Sequence, residues 1–99
     1  MSIASLAEFK AHVREMTTDL DLAYTLALDA ATAEINTFLG YDIMQRSSDD
    51  PPSDVVMAAM LLAQVHADAG TVDDAEFRRG TAQRLLVPYR ENTGFGRAA

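Results

Sequence analysis

The longest apolar stretch of the chain, residues 55–63, has no polar position on any face of a helix. Its flanks resemble helix ends. Pro52 suits the first helical position, where its missing N–H costs nothing, and Asp54 places negative charge at the positive end of the helix dipole. Gly70 is a typical stop after the last turn. The pattern predicts a central helix over residues 52–69, buried on all sides by the rest of the chain or by a neighbouring subunit.

Two amphipathic helices are predicted before this central helix. Ser5 and Glu8 have the spacing of a capping box, so a first helix is expected to run to about residue 15 or 16. A second helix is expected from about residue 19 to residue 39, capped by Thr18 or Asp19 and ended by Gly40. Its apolar stripe recurs at intervals of three and four residues: Leu20, Tyr24, Ala27, Ala31, Ile35 and Phe38.

The segments around the central helix are polar or interrupted by glycine. Residues 41–50 predict a flexible loop, and residues 75–79 predict one or two helical turns. A separate short helix is expected to begin at Gly80 and to end at Pro88, with Leu85 and Leu86 facing inward.

Residues 92–99 contain two glycines and predict a loose tail. The whole pattern therefore predicts one domain over residues 1–99. Its fold class is all-α: a small bundle of about four helices around a central apolar helix, with a flexible loop and a C-terminal tail.

The composition narrows the function classes. The chain has 99 residues, 48% of them hydrophobic, a formal net charge of -7 and no cysteine. This acidity argues against sequence-independent binding to nucleic acid and against binding to an anionic membrane surface. The absence of cysteine excludes disulfides and thiolate chemistry. Neither a signal peptide nor a membrane-spanning run is visible, so a soluble, acidic, intracellular helical domain is expected.

Candidate catalytic chemistry is sparse. His12 and His66 fall on different predicted helices, with no third ligand at metal spacing. We expect His12 to be a surface residue and His66 to be a packed histidine with a hydrogen-bond partner. The chain has no phosphate-binding glycine loop and no nucleophile–base pair. The sequence therefore predicts a protein that is not an enzyme and that has no catalytic, cofactor or metal site.

The charges are distributed unevenly along the chain. Aspartates dominate the first half, whereas five arginines lie in the last quarter: Arg78, Arg79, Arg84, Arg90 and Arg97. One interpretation is simple solvation of the surface. The other is a molecule with an acidic side and a basic side, which suits head-to-tail contacts between identical copies.

Two segments resemble the HK97-type head–tail connector proteins of tailed phages, which are often labelled DNA-packaging proteins. The first runs Leu-Ala-Glu-Phe-Lys-Ala-His-Val-Arg over residues 6–14 and continues into an alanine-rich helix that ends Phe-Leu-Gly at residues 38–40. The second is the proline-opened apolar helix with Leu61, Leu62 and His66, followed by Leu-Leu-Val-Pro-Tyr-Arg at residues 85–90. The resemblance covers nearly the whole chain in the order of the family.

The resemblance implies a structural role in the virion. Such proteins form a ring of about a dozen copies through heterologous contacts. The ring docks beneath the portal protein after packaging, helps to retain the DNA and receives the next neck or tail-completion protein. DNA passes through the channel without sequence-specific binding, and the protein is assembled into the virion neck in the host cytoplasm.

The resemblance and the charge split together predict that the C-terminal segment contacts a neighbouring subunit or the portal. The expected interaction residues are Arg84, Pro88, Tyr89, Arg90 and Phe95. Tyrosine and arginine often dominate interfaces, and an acidic patch of the next copy would suit Arg90. The alternative for these positions is that Tyr89 packs on its own domain while Arg90 is solvated.

The rival function is a regulatory binding module of the antitoxin or DNA-mimic type. An acidic helical protein of this kind covers a basic partner. The function of such a module does not require a helix that begins with proline or a Pro-Tyr-Arg segment near the C-terminus. Observation of ring-shaped particles would favour the connector over the regulatory module.

Overall fold

The computed structural model describes residues 3–14, 19–47, 51–67 and 71–90, with every side chain in these ranges except those at positions 46 and 47. These residues contain no strand and confirm the all-α class, with five α-helices where about four were expected. The last helix leads directly into a 3-10 turn. The elements are α1 (Leu6–Val13), α2 (Asp21–Leu39), α3 (Ile43–Ser47), α4 (Ser53–Ala67), α5 (Val72–Leu86) and the 3-10 turn Val87–Tyr89.

The predicted central helix is α4, which packs along both α2 and α5 while those two helices contact each other only locally. Small side chains permit this close packing, because Ala58, Ala59 and Ala63 are fully buried on α4 and Ala27 and Ala31 are buried on α2. Large apolar side chains fill the space between the backbones: Phe9, Leu28, Ile35, Leu39, Val55, Leu62 and Leu86. The described helices therefore share one hydrophobic core.

The rest of the chain does not cover α4 on all sides, so of the two expected ways of burying it the first is wrong and cover by a neighbouring subunit stays a prediction. Met57 is 42% exposed, and Met60 and Leu61 are only partly buried. Together with Val56, the two methionines line an open groove of about 360 Å³ beside Glu8 of α1. Two long helices and one short helix cover only part of the circumference of α4, so one apolar side of it reaches the surface.

The N-terminal segment is fastened to α2. The Ser5–Glu8 capping box forms as predicted, with the Glu8 N–H donating to Ser5 Oγ at 3.0 Å and the Ser5 N–H donating to Glu8 Oε1 at 2.9 Å. The Ile3 N–H donates to the buried Thr32 Oγ1 at 3.0 Å. However, α1 ends at Val13, two or three residues earlier than expected, because Arg14 adopts the left-handed conformation with φ 61°.

The segment predicted as a loop over residues 41–50 contains a helix. The Asp42 side chain accepts the Met44 N–H at 3.0 Å, and the Ile43 N–H donates to Asn36 Oδ1 at 3.0 Å. Ile43 is also buried. These contacts come from α2 and from within the segment, so they are invisible to helical periodicity and correct the prediction over Ile43–Ser47. Residues 48–50 lie outside the described ranges.

Two predicted helix starts also differ. Helix α2 begins at Asp21, so its N-cap position holds Leu20 and not Asp19 as predicted; Thr18 lies outside the described residues. The predicted end is confirmed, since Gly40 has φ 91° and its N–H donates to the Asn36 carbonyl at 2.9 Å. Helix α4 begins at Ser53, one residue later than predicted, and the Pro52 carbonyl accepts the Val55 N–H at 2.9 Å and the Val56 N–H at 3.1 Å.

Helix α5 is continuous from Val72 to Leu86 and passes through Gly80, which was expected to begin a separate helix. Thr71 caps it by accepting the Asp74 N–H at 3.0 Å. A glycine inside a helix costs only about 1 kcal/mol relative to alanine. Burial of Ala82 and Leu86 against α4 exceeds that cost, so tertiary packing carries the helix through Gly80.

A polar cluster joins the three long helices. Arg79 of α5 donates two hydrogen bonds to the Glu34 carboxylate of α2, at 2.7 and 3.1 Å, and His66 Nε2 of α4 lies 2.9 Å from Glu34 Oε1. The expected hydrogen-bond partner of His66 is thereby identified, but the prediction that His66 is packed is wrong, because the residue is exposed. Hydrogen bonding from Arg79 lowers the pKa of Glu34; partial burial opposes this, and His66 adds a smaller lowering.

Candidate subunit-contact surface

The residues at the predicted contact corner are held by their own chain. The Tyr41 hydroxyl donates to the Tyr89 carbonyl at 2.7 Å, and Tyr89 packs partly buried against the core. Arg90 Nε donates to the Phe38 carbonyl at 3.1 Å, and its guanidinium carbon lies 4.8 Å from the centre of the Phe38 ring. Of the two alternatives stated for this corner, the packed Tyr89 matches the structure, whereas Arg90 has an intrachain role that neither anticipated.

Arg90 caps the C-terminal end of α2. The last carbonyls of a helix lack intrahelical partners and carry the negative end of the dipole, so a cation there satisfies both. The arginine also stacks on an aromatic ring, a contact of up to about 1 kcal/mol at exposed sites. The Phe-Leu-Gly segment at residues 38–40 and the Pro-Tyr-Arg segment at residues 88–90 therefore lie against each other and fix the end of α5 relative to α2.

Of the remaining predicted contact residues, Arg84 and Pro88 are exposed. Arg84 Nη2 donates to Thr81 Oγ1 one turn earlier, at 3.2 Å, and Pro88 lies within the 3-10 turn. Phe95 lies outside the described residues.

The outer face of α5 adds an apolar residue that the sequence analysis missed. Phe77 is 71% exposed and lies nine residues before the buried Leu86, which places it about 180° around the helix. Arg84 follows Phe77 by seven residues, or nearly two full turns, and so lies on the same side. We call Phe77, Gly80, Thr81 and Arg84 the α5 outer face.

The signal that could have revealed Phe77 was present in the sequence. The prediction divided residues 75–86 into two short helices at Gly80. The angle around the helix between Phe77 and the inward-facing leucines could therefore not be counted. Treated as one helix, the same residues put Leu86 inside and Phe77 outside. The missed residue follows directly from the wrong helix boundary.

The basic side of the molecule is smaller than the count of arginines suggested. Arg79 is neutralised by Glu34, and Arg90 is committed to the end of α2. Arg84 makes only the bond to Thr81 among the contacts described, so it contributes most to the positive charge of the α5 outer face. Arg97 lies outside the described residues.

A second cleft, of about 330 Å³, lies between α1, α2 and α4. It is lined by Phe9, His12, Tyr24 and Gln64, with His12 Nε2 3.2 Å from Gln64 Oε1. His12 is exposed, as predicted. Within the described ranges, no group of three or more histidine and acidic residues is placed to hold a metal ion.

Comparisons of the chain with models of known protein families, with curated proteins and with solved structures find no match. None of the helices in the described part of the chain has both the length and the hydropathy that a membrane span requires.

Proposed function

We propose that this protein is a head–tail connector of a tailed phage. In this role it is a structural virion protein that forms a ring of about a dozen copies beneath the portal through heterologous contacts. The ring extends the DNA channel and joins the head to the next neck or tail-completion protein after packaging.

The observation that carries the proposal is the α5 outer face. Phe77 is 71% exposed and Arg84 on the same side is also exposed, and Val87, in the 3-10 turn just beyond this face, is 52% exposed. Large apolar side chains beside an arginine are the composition of interface centres. Such a face contributes little to the stability of the single chain, so contact with another molecule is the role that accounts for it.

The ordered sequence motifs are the reason for proposing a connector and not another kind of self-associating protein. The two segments that resemble the connector family converge at the Arg90–Phe38 contact, which positions the 3-10 turn and the end of α5. In a ring subunit, this corner would hold the contact helix rigidly. Rigid presentation lowers the entropy lost on association.

The charge of the chain suits a channel through which DNA passes. With a net charge of -7, the protein offers few sites that could hold phosphates and slow the movement of the duplex. Its partners in this proposal are further copies of itself, the portal and a neck protein, and its location is the virion neck.

The decisive experiment deletes the gene from the phage that encodes it and complements the deletion with variants. We expect the deletion to yield DNA-filled heads and separate tails, and wild-type protein to restore joined particles. Normal particles from the deletion would refute the connector role. Binding to a basic partner protein, with no effect on particles, would instead support the regulatory module.

Two substitutions separate contact from folding in the same complementation assay. Arg84→Glu is expected to keep the melting temperature and to lower the yield of joined particles, because Arg84 is exposed. Gln83→Glu is the matched control, since Gln83 is an exposed neighbour on a different side of α5. Arg90→Glu should lower the melting temperature itself, because it removes the cap on α2 and places a negative charge at the negative end of that helix.

A further inference from the structure

Helix α2 has an uncovered apolar face of its own. Leu22 is 73% exposed and Leu26 is 60% exposed. They lie nine residues before the buried Ala31 and Ile35 respectively, about 180° around the helix from the core. Asp29 and Ala33 continue the same stripe and are also exposed. We call Leu22, Leu26, Asp29 and Ala33 the α2 outer face.

The two outer faces lie on different sides of the molecule. Helix α4 lies between α2 and α5, and each outer face points away from the residues that its own helix buries against the core. One copy can therefore engage two neighbours at once, one through each face. This is the geometry of a heterologous contact, which closes into a ring when the rotation between copies permits.

The residues of the two faces match in chemistry and in spacing. Phe77 and Arg84 are seven residues apart on α5, and Leu22 and Asp29 are seven residues apart on α2. At 1.5 Å per residue, both separations are about 10.5 Å. When the two helices run in parallel, Phe77 meets Leu22 and Arg84 meets Asp29.

The positions between these pairs also fit. Leu26 comes opposite Gly80 and Thr81, whose small side chains leave room for a leucine, and Ala33 comes opposite Pro88 in the same register. A Cβ added at Gly80 would meet only the end of the Arg84 side chain, at 3.8 Å, so the fold of the single chain does not require glycine there. Close approach of a second helix would give Gly80 a role.

We propose that the α5 outer face of one copy packs in parallel on the α2 outer face of the next copy, with Phe77 on Leu22 and Arg84 paired with Asp29. The antiparallel arrangement is disfavoured because it turns Asp29 towards the acidic first turn of α5, where Asp73 and Asp74 lie. The inference rests on the proposed function, since it identifies the partner in the ring as a second copy of this chain.

Disulfide trapping tests the contact directly in the purified protein, because the chain has no cysteine of its own. Chains carrying Leu26→Cys are mixed with chains carrying Thr81→Cys under mild oxidation. We expect linked pairs to form about tenfold faster than in a control mixture of Met57→Cys and Thr81→Cys, since Met57 is exposed on α4 but outside both faces. Equal rates would overturn the proposal.

Orientation has its own pair of measurements. In the parallel register, Ala33→Cys should link to Pro88→Cys and not to Asp73→Cys. Preferential linkage to Asp73→Cys would reverse the direction of the helices and refute the proposed register.

Half-blocked chains test whether the contact is heterologous. Leu26→Glu disables the α2 outer face and Phe77→Glu disables the α5 outer face, and each should weaken self-association by about tenfold or more. A mixture of the two variants should form dimers and no larger assemblies, because each chain keeps only one of its two outer faces intact. If the mixture associates no better than either variant alone, the proposed pairing of faces is wrong.

Charge exchange supplies the last test. Asp29→Arg and Arg84→Asp should each weaken association, and the double variant should recover most of the loss.

The complementation assay separates this proposal from the connector role. If disulfide-linked pairs form but the protein is dispensable for head–tail joining, the contact is supported and the connector role is refuted. If the protein is essential for joining but no linked pairs form, the connector role is supported and the contact is refuted.

Discussion

The inner and outer faces of α5 carry large apolar side chains in opposite surroundings. Leu86 is fully buried against α4, whereas Phe77 remains 71% exposed on the other side of the same helix. Burying a leucine contributes about 2 kcal/mol to folding, and an exposed phenylalanine contributes little. Stability and the proposed partner contact therefore fall on different residues of one helix, so we expect substitutions to alter one without the other.

Helix α4 repeats the contrast within the run of residues 55–63. Leu62 is 1% exposed, while Met57 and Met60 face the open groove beside α1. The apolar character of the run does not reveal which of its members are needed for folding. Burial separates residues that hydropathy alone would treat as equivalent.

The largest expected effect comes from placing a charge on each side of α4. Leu62→Asp should unfold the domain, because an unpaired buried carboxylate costs several kcal/mol against a total stability of about 5–10 kcal/mol. Met60→Asp should leave it folded, with a loss of about 1–2 kcal/mol, because its side chain can reach water. Thermal unfolding followed by circular dichroism measures both. Equal losses of stability for the two variants would contradict the distinction between the buried and the open side of α4.

A smaller effect is expected at the Glu34 cluster, which is polar and partly exposed and joins the three long helices. Because the folded-state pKa of Glu34 is lowered, its contribution is complete above the unfolded-state value and is lost as the pH falls through the folded-state value. Partial exposure limits this contribution to about 1 kcal/mol. We expect Glu34→Gln to cost that amount at pH 7 and to cost progressively less below about pH 4.

Asp29→Asn provides the matched control for the loss at pH 7. Asp29 is an exposed carboxylate of α2 for which the described residues provide no ion pair. Urea unfolding of dilute protein at pH 7 should show almost no loss of stability for this variant, while the same measurement on Glu34→Gln at a series of pH values follows the contribution of the cluster. A loss for Asp29→Asn as large as that for Glu34→Gln would contradict the assignment of the effect to the cluster.

The smallest effect compares two glycines. Gly80→Ala should raise stability by about 0.5–1 kcal/mol, because the helical backbone and the space at Gly80 both accept a methyl group. Gly40→Ala should lower it by about 1 kcal/mol, because Gly40 has φ 91°. Denaturant midpoints measure both. A destabilised Gly80→Ala chain would mean that the single chain itself requires this glycine, which would weaken its proposed role between two copies.

Local patterns were sufficient to predict much of this fold. The Ser5–Glu8 capping box, the α2 stripe from Tyr24 to Phe38, its end at Gly40 and the burial of Leu86 follow from spacing and backbone preference, whereas Leu20, the first predicted member of the stripe, is 43% exposed. These features depend on residues a few positions apart, so their physical causes are contained in short windows of sequence.

Three features depended on contacts between different elements of the fold. The continuity of α5 through Gly80 depends on packing against α4, and helix α3 begins where the Ile43 N–H meets Asn36. The open side of α4 depends on how far its neighbours reach around it. None of these contacts has a periodic signal along the chain.

The candidate contact surface divides in the same way. Composition and motif order point to the C-terminal segment and to Arg84 as contact residues, and this part of the surface stays a prediction from the sequence. Only the tertiary structure showed that Arg90 and Tyr89 serve their own domain and that Phe77 faces solvent. The reason is physical: an arginine or an aromatic ring has the same chemistry in a core, at a helix end or on a surface, and its neighbours in space decide which role it takes.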